Sequence, residues 1–371
     1  MFHLIFGIPW LIVISRFILP LPWPLSVKIG VAGILLLASQ YHLVSRLSSG
    51  SVFSPEFPRP FIIAFNVLFG TLILLAVFQI SLDVISTAVM LLSGHFPSVP
   101  PGIRYAIGAA AFGLSAFGVS QAIRIPSVKN VNITLADLPP AFDGYRLLQL
   151  TDLHISRLFP AAWTQAVVSR SNALQADLIV VTGDFIDGSL ENRRADVEPL
   201  AKLRARDGVY AIPGNHEYFF DYEKWMMHLE GRGMRMLANS HAVILRGGAS
   251  LVVAGVTDLS AIGTHLPAPD LAAATQGAPN QAPIILLDHQ PMRAARTAKA
   301  GIALQLSGHT HGGMVYGLDR LVALANDGFV SGLYSVGGMQ LYVNNGTAIW
   351  PGFALRLGRP AELTVITLQR R

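Results

Sequence analysis

The chain has no cysteine, so neither a disulfide nor a thiolate metal ligand is open to it. It is also short of charge: Asp, Glu, Lys and Arg make up 13% of the residues against 52% hydrophobic ones, well outside the averages of globular proteins. The shortage is local. Residues 1–123 hold only Arg16, Lys28, Arg46, Glu56, Arg59, Asp83 and Arg104, which leaves 22 of the 27 Lys/Arg and 20 of the 22 Asp/Glu for residues 124–371. A buried helical core of a water-soluble protein does not carry so few charges over 123 residues. The nearly balanced remainder lacks the basic surplus of a nucleic-acid binder, and no nucleic-acid partner is expected.

Four apolar stretches fill the N-terminal third, at about 3–20, 26–46, 61–92 and 103–123. A spanning helix needs about 20 mostly apolar residues, so the expectation is a helical membrane domain of about four spans. The first stretch has no positive n-region and no small-residue cleavage site, unlike a removable signal peptide. Four spans place Arg46, Arg59, Arg124 and Lys129 on the side of the C-terminal globule, against Lys28, Arg104 and Arg16 opposite. The positive-inside rule then favours a multi-pass protein of the cell membrane with a cytoplasmic globule. Asp83, inside a span, is unusual enough to suggest a function. The expected division is a transmembrane domain over 1–123, a linker with a lead-in strand over 124–142, and a globular domain over 143–371.

The globular part alternates short apolar runs with helical segments. "YRLLQL" (145–150), "DLIVV" (177–181), "GVYAI" (208–212), "PIILL" (283–287) and "GIALQL" (301–306) are almost uncharged inside, as strands covered on both faces are. Helix-like pieces lie at 161–175 and 193–206, and 227–256 ends in hairpin-like strands. The pattern is α/β.

Each run leads into a polar cluster. Asp152 and His154 follow the first, Asp184 the second, Asn215 and His216 the third, His289 the fourth, and His309 and His311 the fifth, in "LSGHTHGG". Taken singly, these fragments are commonplace: H-x-H is usually a surface turn, Gly-Asp a frequent turn, Asn-His a chance pair. In α/β sheets, however, sites form beyond the carboxyl ends of strands, and five successive strand ends bearing Asp, His or Asn can converge. Carboxylates, an amide oxygen and imidazoles suit borderline divalent ions such as Mn, Fe, Zn or Co. Side-chain alternation at a strand end would turn both members of Asp152-x-His154, and of His309-x-His311, to one side.

Asp152-x-His154, Gly183-Asp184, Gly214-Asn215-His216-Glu217, His289 and Gly308-His309-x-His311 together resemble the calcineurin-like metallophosphoesterase superfamily, over about residues 143–315. "LTDLHIS", "GDFIDG" and "SGHTHGG" behind a membrane prefix are similar to its bacterial membrane-associated branch, which includes hydrolases of a UDP-linked diacylglucosamine lipid. The resemblance implies a β-sandwich flanked by helices and two divalent metal cations. Asp152, His154, Asp184 and His311 would hold one; Asp184, Asn215, His289 and His309 the other; Asp184 would bridge them. Two cations about 3.5–4 Å apart share a water, lower its pKa and clamp the attacking and leaving oxygens. His216 would be the catalytic, non-ligand histidine, its ordinary pKa of about 6.5 suiting proton donation.

The expected activity is hydrolysis of a phosphodiester or pyrophosphate bond by a membrane-anchored enzyme, the substrate being a lipid or lipid-linked headgroup and the partners membrane lipids. The alternatives are a soluble nucleotide or phosphodiester as substrate, or a metal-binding membrane scaffold without turnover. Two departures bear on the substrate: "LDHQP" stands where relatives often have His-Asn-Pro, and Asn345 stands where the branch suggests an Arg-Gly pair. Asp187 reads as a turn-former, His228 and His241 as surface or packing residues, and His265 as a possible substrate contact in a long loop, 257–282, over the site.

Overall fold

The computed structural model describes residues 2–371, with side chains from residue 4 onward. The chain forms two compact units: Met1–Ala122 together with Pro351–Leu355, and Ile123–Trp350 together with Arg356–Arg371.

The first unit is helical. Helix α1 (Phe2–Ile12) runs into a π-helical turn at Val13–Ile18; α2 (Leu25–Ser39), α3 (Tyr41–Ser49), α4 (Arg59–Ser93) and α5 (Pro101–Ile123) follow. Pro58 and Pro60 start α4 where a missing N–H costs nothing, and Gly94, at φ +80°, ends it in a left-handed cap. Helices α4 and α5 are long and apolar enough to cross a membrane, and α2 with α3 is a third candidate bent by 54°. The four-span expectation is corrected here. The stretch 3–20 gives only a shorter apolar helix over Leu4–Ile18, because the prolines at 20, 22 and 24 prevent it from extending. The second stretch breaks at Gln40, which is non-helical at φ −93°, ψ 15°. Asp83 pairs with Arg16 at 3.0 Å and accepts from Gln79 Nε2 at 2.8 Å, a structural use of the charge.

The segment Pro351–Leu355 is fastened inside this unit by buried polar groups. Tyr41 Oη donates to Pro351 O at 2.9 Å, Asn66 Nδ2 donates to the same carbonyl at 3.0 Å, and Ala354 N donates to Asn66 Oδ1 at 2.7 Å. Phe353 meets Phe69 edge to face. In an apolar surrounding a buried amide without partners is costly, and here the backbone of 351–354 supplies them.

The second unit contains two six-stranded sheets. In chain order the strands are β1 (Ser127–Leu135), β2 (Arg146–Leu150), β3 (Leu178–Thr182), β4 (Val209–Ile212), β5 (Arg235–Met236), β6 (Ser240–Arg246), β7 (Ala249–Gly255), β8 (Ile284–Leu287), β9 (Leu304–Ser307), β10 (Gly332–Val336), β11 (Met339–Val343) and β12 (Glu362–Arg370). One sheet has the order β1-β12-β2-β3-β4-β5 and the other β10-β11-β9-β8-β7-β6. Strands β2 to β5 are mutually parallel, as are β7, β8, β9 and β11. Leu147, Leu178 and Val180 from one sheet and Val253, Ile285, Leu304 and Leu306 from the other share one core between the sheets. Helices α6 (Ala161–Ala173), α7 (Leu190–Val197), α8 (Asn215–Phe219), α9 (Tyr222–Glu230), α10 (Leu271–Thr275), α11 (Ala294–Lys299) and α12 (Leu318–Leu324) connect and flank the strands. The five apolar runs coincide with β2, β3, β4, β8 and β9, and β6 and β7 form the expected hairpin.

Candidate metal centre

The five strands that form the site end at residues 150, 182, 212, 287 and 307, and the polar clusters begin two or three residues beyond. The side-chain alternation expected there is replaced by a different local geometry. Asp152, His154, Asp184, His309 and His311 lie past the strands with left-handed backbones, at φ 50°, 42°, 54°, 68° and 50°. Non-glycine residues rarely adopt this region, and such outliers concentrate at functional sites. Hydrogen bonds between neighbouring loops fix them: Asp152 N donates to Gly183 O and His154 N to Asp184 O, both at 3.0 Å, and Ala348 N to Asp152 O at 2.9 Å. Two glycines are dictated by proximity. A Cβ at Gly214 would strike the Asp184 carboxylate, and one at Gly308 would strike Thr151 Oγ1 and Asp152 Oδ2.

All eight residues singled out from sequence come together. Asp152, His154 and His311 offer ligand atoms within 4.8 Å of one another, as do Asp184, His289 and His309, and likewise His154, Asp184 and His216. Asp184 Oδ2 stands between these groups, 3.2 Å from His289 Nε2, 3.8 Å from His154 Nε2 and 3.9 Å from His216 Nε2. Asn215 Oδ1 faces His289 Nε2 at 3.1 Å and His309 Nδ1 at 2.8 Å. His154 Nε2 and His311 Nε2 face each other at 3.2 Å, a spacing at which at most one of the two can carry a proton. Buried lone pairs aimed at common points, from oxygen and imidazole nitrogen alone, fit a divalent transition ion.

The electrostatics are those of a site built for cations. Burial works to raise the Asp184 pKa, but His289 and then His216 overcome it, and the carboxyl lies well below its usual range. Burial, with Asp184 nearby, holds Asp152 above its usual value. Burial depresses His309 to about 4, helped by the positive His289, and depresses His311 well below its usual value, helped by His154. His216 goes the other way: burial opposes its charge, yet Asp184 and Asp187 raise it to about 9.

Asp187 is more than the turn-former expected from sequence. It is fully buried, with Oδ2 at 3.0 Å from His154 Nδ1 and Oδ1 at 2.5 Å from His216 Nδ1. Its three-residue spacing from Asp184 in "GDFIDG" was the available signal. Glu217 was quoted for its motif without a role; buried, it accepts from Gly214 N at 2.6 Å, Phe185 N at 2.7 Å and Asp184 N at 3.1 Å, and so holds two of the turns together.

Arg356 had no sequence signal at all. Its buried guanidinium donates to four carbonyls, those of His311, Arg359, Asn345 and Ala348, at 3.2, 2.9, 2.7 and 2.7 Å, tying the His311 loop to the chain after β11. Asn345 itself accepts from Ser331 Oγ at 2.6 Å and donates to Pro360 O at 3.3 Å, so its side chain is engaged in structure. His265 is exposed in the loop 257–282. That loop is partly ordered: α10 buries Ala274 in the core against Ala254 and Val256 of the second sheet.

Residues 145–313 match the family profile of the calcineurin-like phosphoesterases. A transmembrane protein with metallophosphoesterase domain from Danio rerio is 35% identical over 266 residues, 69% of this chain and 60% of that protein. The match thus spans less than two thirds of that relative's length. An uncharacterized metallophosphoesterase of Helicobacter pylori (strain J99) is 31% identical over 268 residues, 72% of this chain and 70% of the relative. One of Bacillus subtilis (strain 168) is 30% identical over 240 residues, 62% of this chain and 82% of the relative.

Proposed function

The chain belongs to the calcineurin-like metallophosphoesterases, and from that premise we propose that it is a membrane-anchored, dinuclear-metal phosphoesterase that cleaves a phosphodiester or pyrophosphate bond of a lipid or lipid-linked headgroup. The observation that carries the catalytic part is the position of Asp184 Oδ2 between two donor groups, with His216 close by. On this reading Asp152, His154, Asp184 and His311 would hold one divalent cation, and Asp184, Asn215, His289 and His309 would hold the other. Bound there, the cations supply Lewis acidity toward the phosphoryl oxygens and a nucleophilic water at neutral pH.

The chain's own residues do the rest. Asp184, ionised in its histidine surroundings, would serve as a ligand to both cations. Asn215 contributes a neutral oxygen, which limits the negative charge facing an anionic substrate. Asp187 accepts from Nδ1 of His216 and so fixes the ring, leaving Nε2 to hold the proton that goes to the departing oxygen. In the site without cations the charge on His216 is held by Asp184 and Asp187; with Asp184 engaged by the cations, Asp187 would remain to hold it.

The membrane part rests on the apolar helices α4 and α5 and on the short chain between Ile123 and β1. A tether this short presents the site to membrane lipids at high effective concentration. If α4 and α5 both cross, Arg46, Arg59, Arg124 and Lys129 would lie on one side and Arg104, bonded to Arg16, on the other with it; the small excess on the first side is what supports a cytoplasmic catalytic domain. The test is elemental analysis of purified protein beside turnover of a bis-nitrophenyl phosphodiester, and then of lipid-linked pyrophosphates or phosphodiesters against soluble nucleotides. Protein free of metal and without turnover would remove the enzymatic reading; preference for soluble substrates would remove the lipid part alone.

A further inference from the structure

In the catalytic unit, large apolar side chains that face water are mostly scattered: Phe219, Met227, Ile262 and Leu333 belong to separate elements, and Val243 and Leu245 share β6. Scattered exposure of this kind is ordinary. The segment after the His309–His311 loop is different. Tyr316 is 67% exposed, Leu321 63% and Leu324 80%, and helix α12, "LDRLVAL", has no buried residue. Leu321 and Leu324, three apart, share one side of the helix, and exposed Arg320 lies one turn before Leu324. A leucine pair beside an arginine with a long apolar stem is the pattern of a helix lying in a membrane interface. A helix serving only to cover the protein would turn its leucines inward.

The root of α12 is held in place on both sides. Met314 O accepts from Leu357 N at 2.9 Å and Leu357 O from Tyr316 N at 3.1 Å. Arg359 pairs with Asp319 and lies over the Tyr316 ring. Only one residue, Arg356, a span of about 7 Å when fully extended, separates Leu357 from Leu355, the last residue of the segment that belongs to the helical unit with its two candidate spans. Toward the other end, Met314 is three residues from His311. The exposed leucines thus lie close along the chain to the candidate metal centre, and the strand of chain paired with their root continues within two residues into the segment 351–355.

We infer that Tyr316, Leu321 and Leu324 form a surface that rests in the headgroup region of a lipid bilayer and borders the mouth of the metal centre. The inference rests on the membrane-anchored reading above. Substrate embedded in the bilayer would then reach the centre without leaving the surface.

The absence of native cysteine makes the test direct. Leu324→Cys and Leu245→Cys are each labelled with an environment-sensitive fluorophore in the full chain, reconstituted in phosphatidylcholine vesicles with or without quencher-bearing lipid. Leu245 is 74% exposed and sits near the β6–β7 turn, at the end of the sheet away from the site. A Leu324 label that is blue-shifted and quenched by the lipid, beside a Leu245 label that is neither, is the expected result. Equal behaviour of the two labels overturns the inference, and so does a blue shift without lipid quenching, which would mean that protein, such as a second copy, covers α12. In a second experiment, Leu321→Ser with Leu324→Ser should leave turnover of a soluble bis-nitrophenyl phosphodiester unchanged and raise KM about tenfold for a phosphodiester carried in vesicles; equal KM for the latter counts against the surface. The labelling needs no turnover, so loss of the enzymatic reading and loss of this surface are separable.

Discussion

His154 Nδ1 lies 3.0 Å from Asp187 Oδ2, while the other oxygen of that carboxylate meets His216 Nδ1. One buried acid therefore orients both a ring of the metal cluster and the ring proposed to protonate the leaving group. Asp187→Asn keeps the shape and removes the charge. Activity should fall about 10–100-fold, as for changes to residues that orient metal ligands.

The same variant has a signature in pH. Asp187 is among the groups that raise His216 to about 9 against the effect of burial. A group whose charged form loses a stabilising anion titrates lower, so the alkaline limb of kcat should move to lower pH in Asp187→Asn. A limb that stays put would assign that ionisation to another group.

Asp184→Asn should damage metal binding more than any other single ligand change, since Asp184 Oδ2 faces donors of both groups. His216→Ala should retain metal and lose about 10²–10⁴ in rate. Elemental analysis of the two variants separates the roles; a His216→Ala protein stripped of metal would contradict them.

Exhaustive chelation should abolish turnover, and manganese or another borderline divalent ion should restore it. Full activity in protein shown to be metal-free would refute a metal role.

Arg356→Met should lower stability by at least about 2 kcal/mol, because it removes charge-assisted hydrogen bonds and leaves buried carbonyls without a donor. It should also weaken metal retention through the His311 loop. Thermal unfolding and metal content, measured together, check both.

How much of this was legible beforehand depended on range along the chain. The strands β2, β3, β4, β8 and β9 declare themselves as short apolar runs, and the chemistry at their ends follows each run within four residues. The left-handed turns at Asp152, His154, Asp184, His309 and His311 were not legible, since they depend on hydrogen bonds with loops made elsewhere. Asp187 looked like a turn because its partners, His154 and His216, are 33 and 29 residues away. Arg356, 45 residues beyond His311, has no local pattern to mark it. The span count suffered from the opposite fault: composition alone made 3–20 and 26–46 look continuous, while the prolines at 20, 22 and 24 and the break at Gln40 divide them.

Asn66 and Tyr41 have a place in time as well as in space. Ala354, which donates to Asn66, is made 288 residues later, and Pro351 follows Tyr41 by 310. On the proposed membrane-anchored reading, α4 would enter the bilayer while the rest of the chain is still being made, with Asn66 Nδ2 bonded only to Ile62 O of its own helix at 2.9 Å and to Tyr41 Oη at 3.3 Å. Only when residues 351–354 emerge can the bundle settle. If α4 spans a bilayer as proposed, the order of synthesis would set a waiting period in which the helix is inserted before its contacts with residues 351–354 can form.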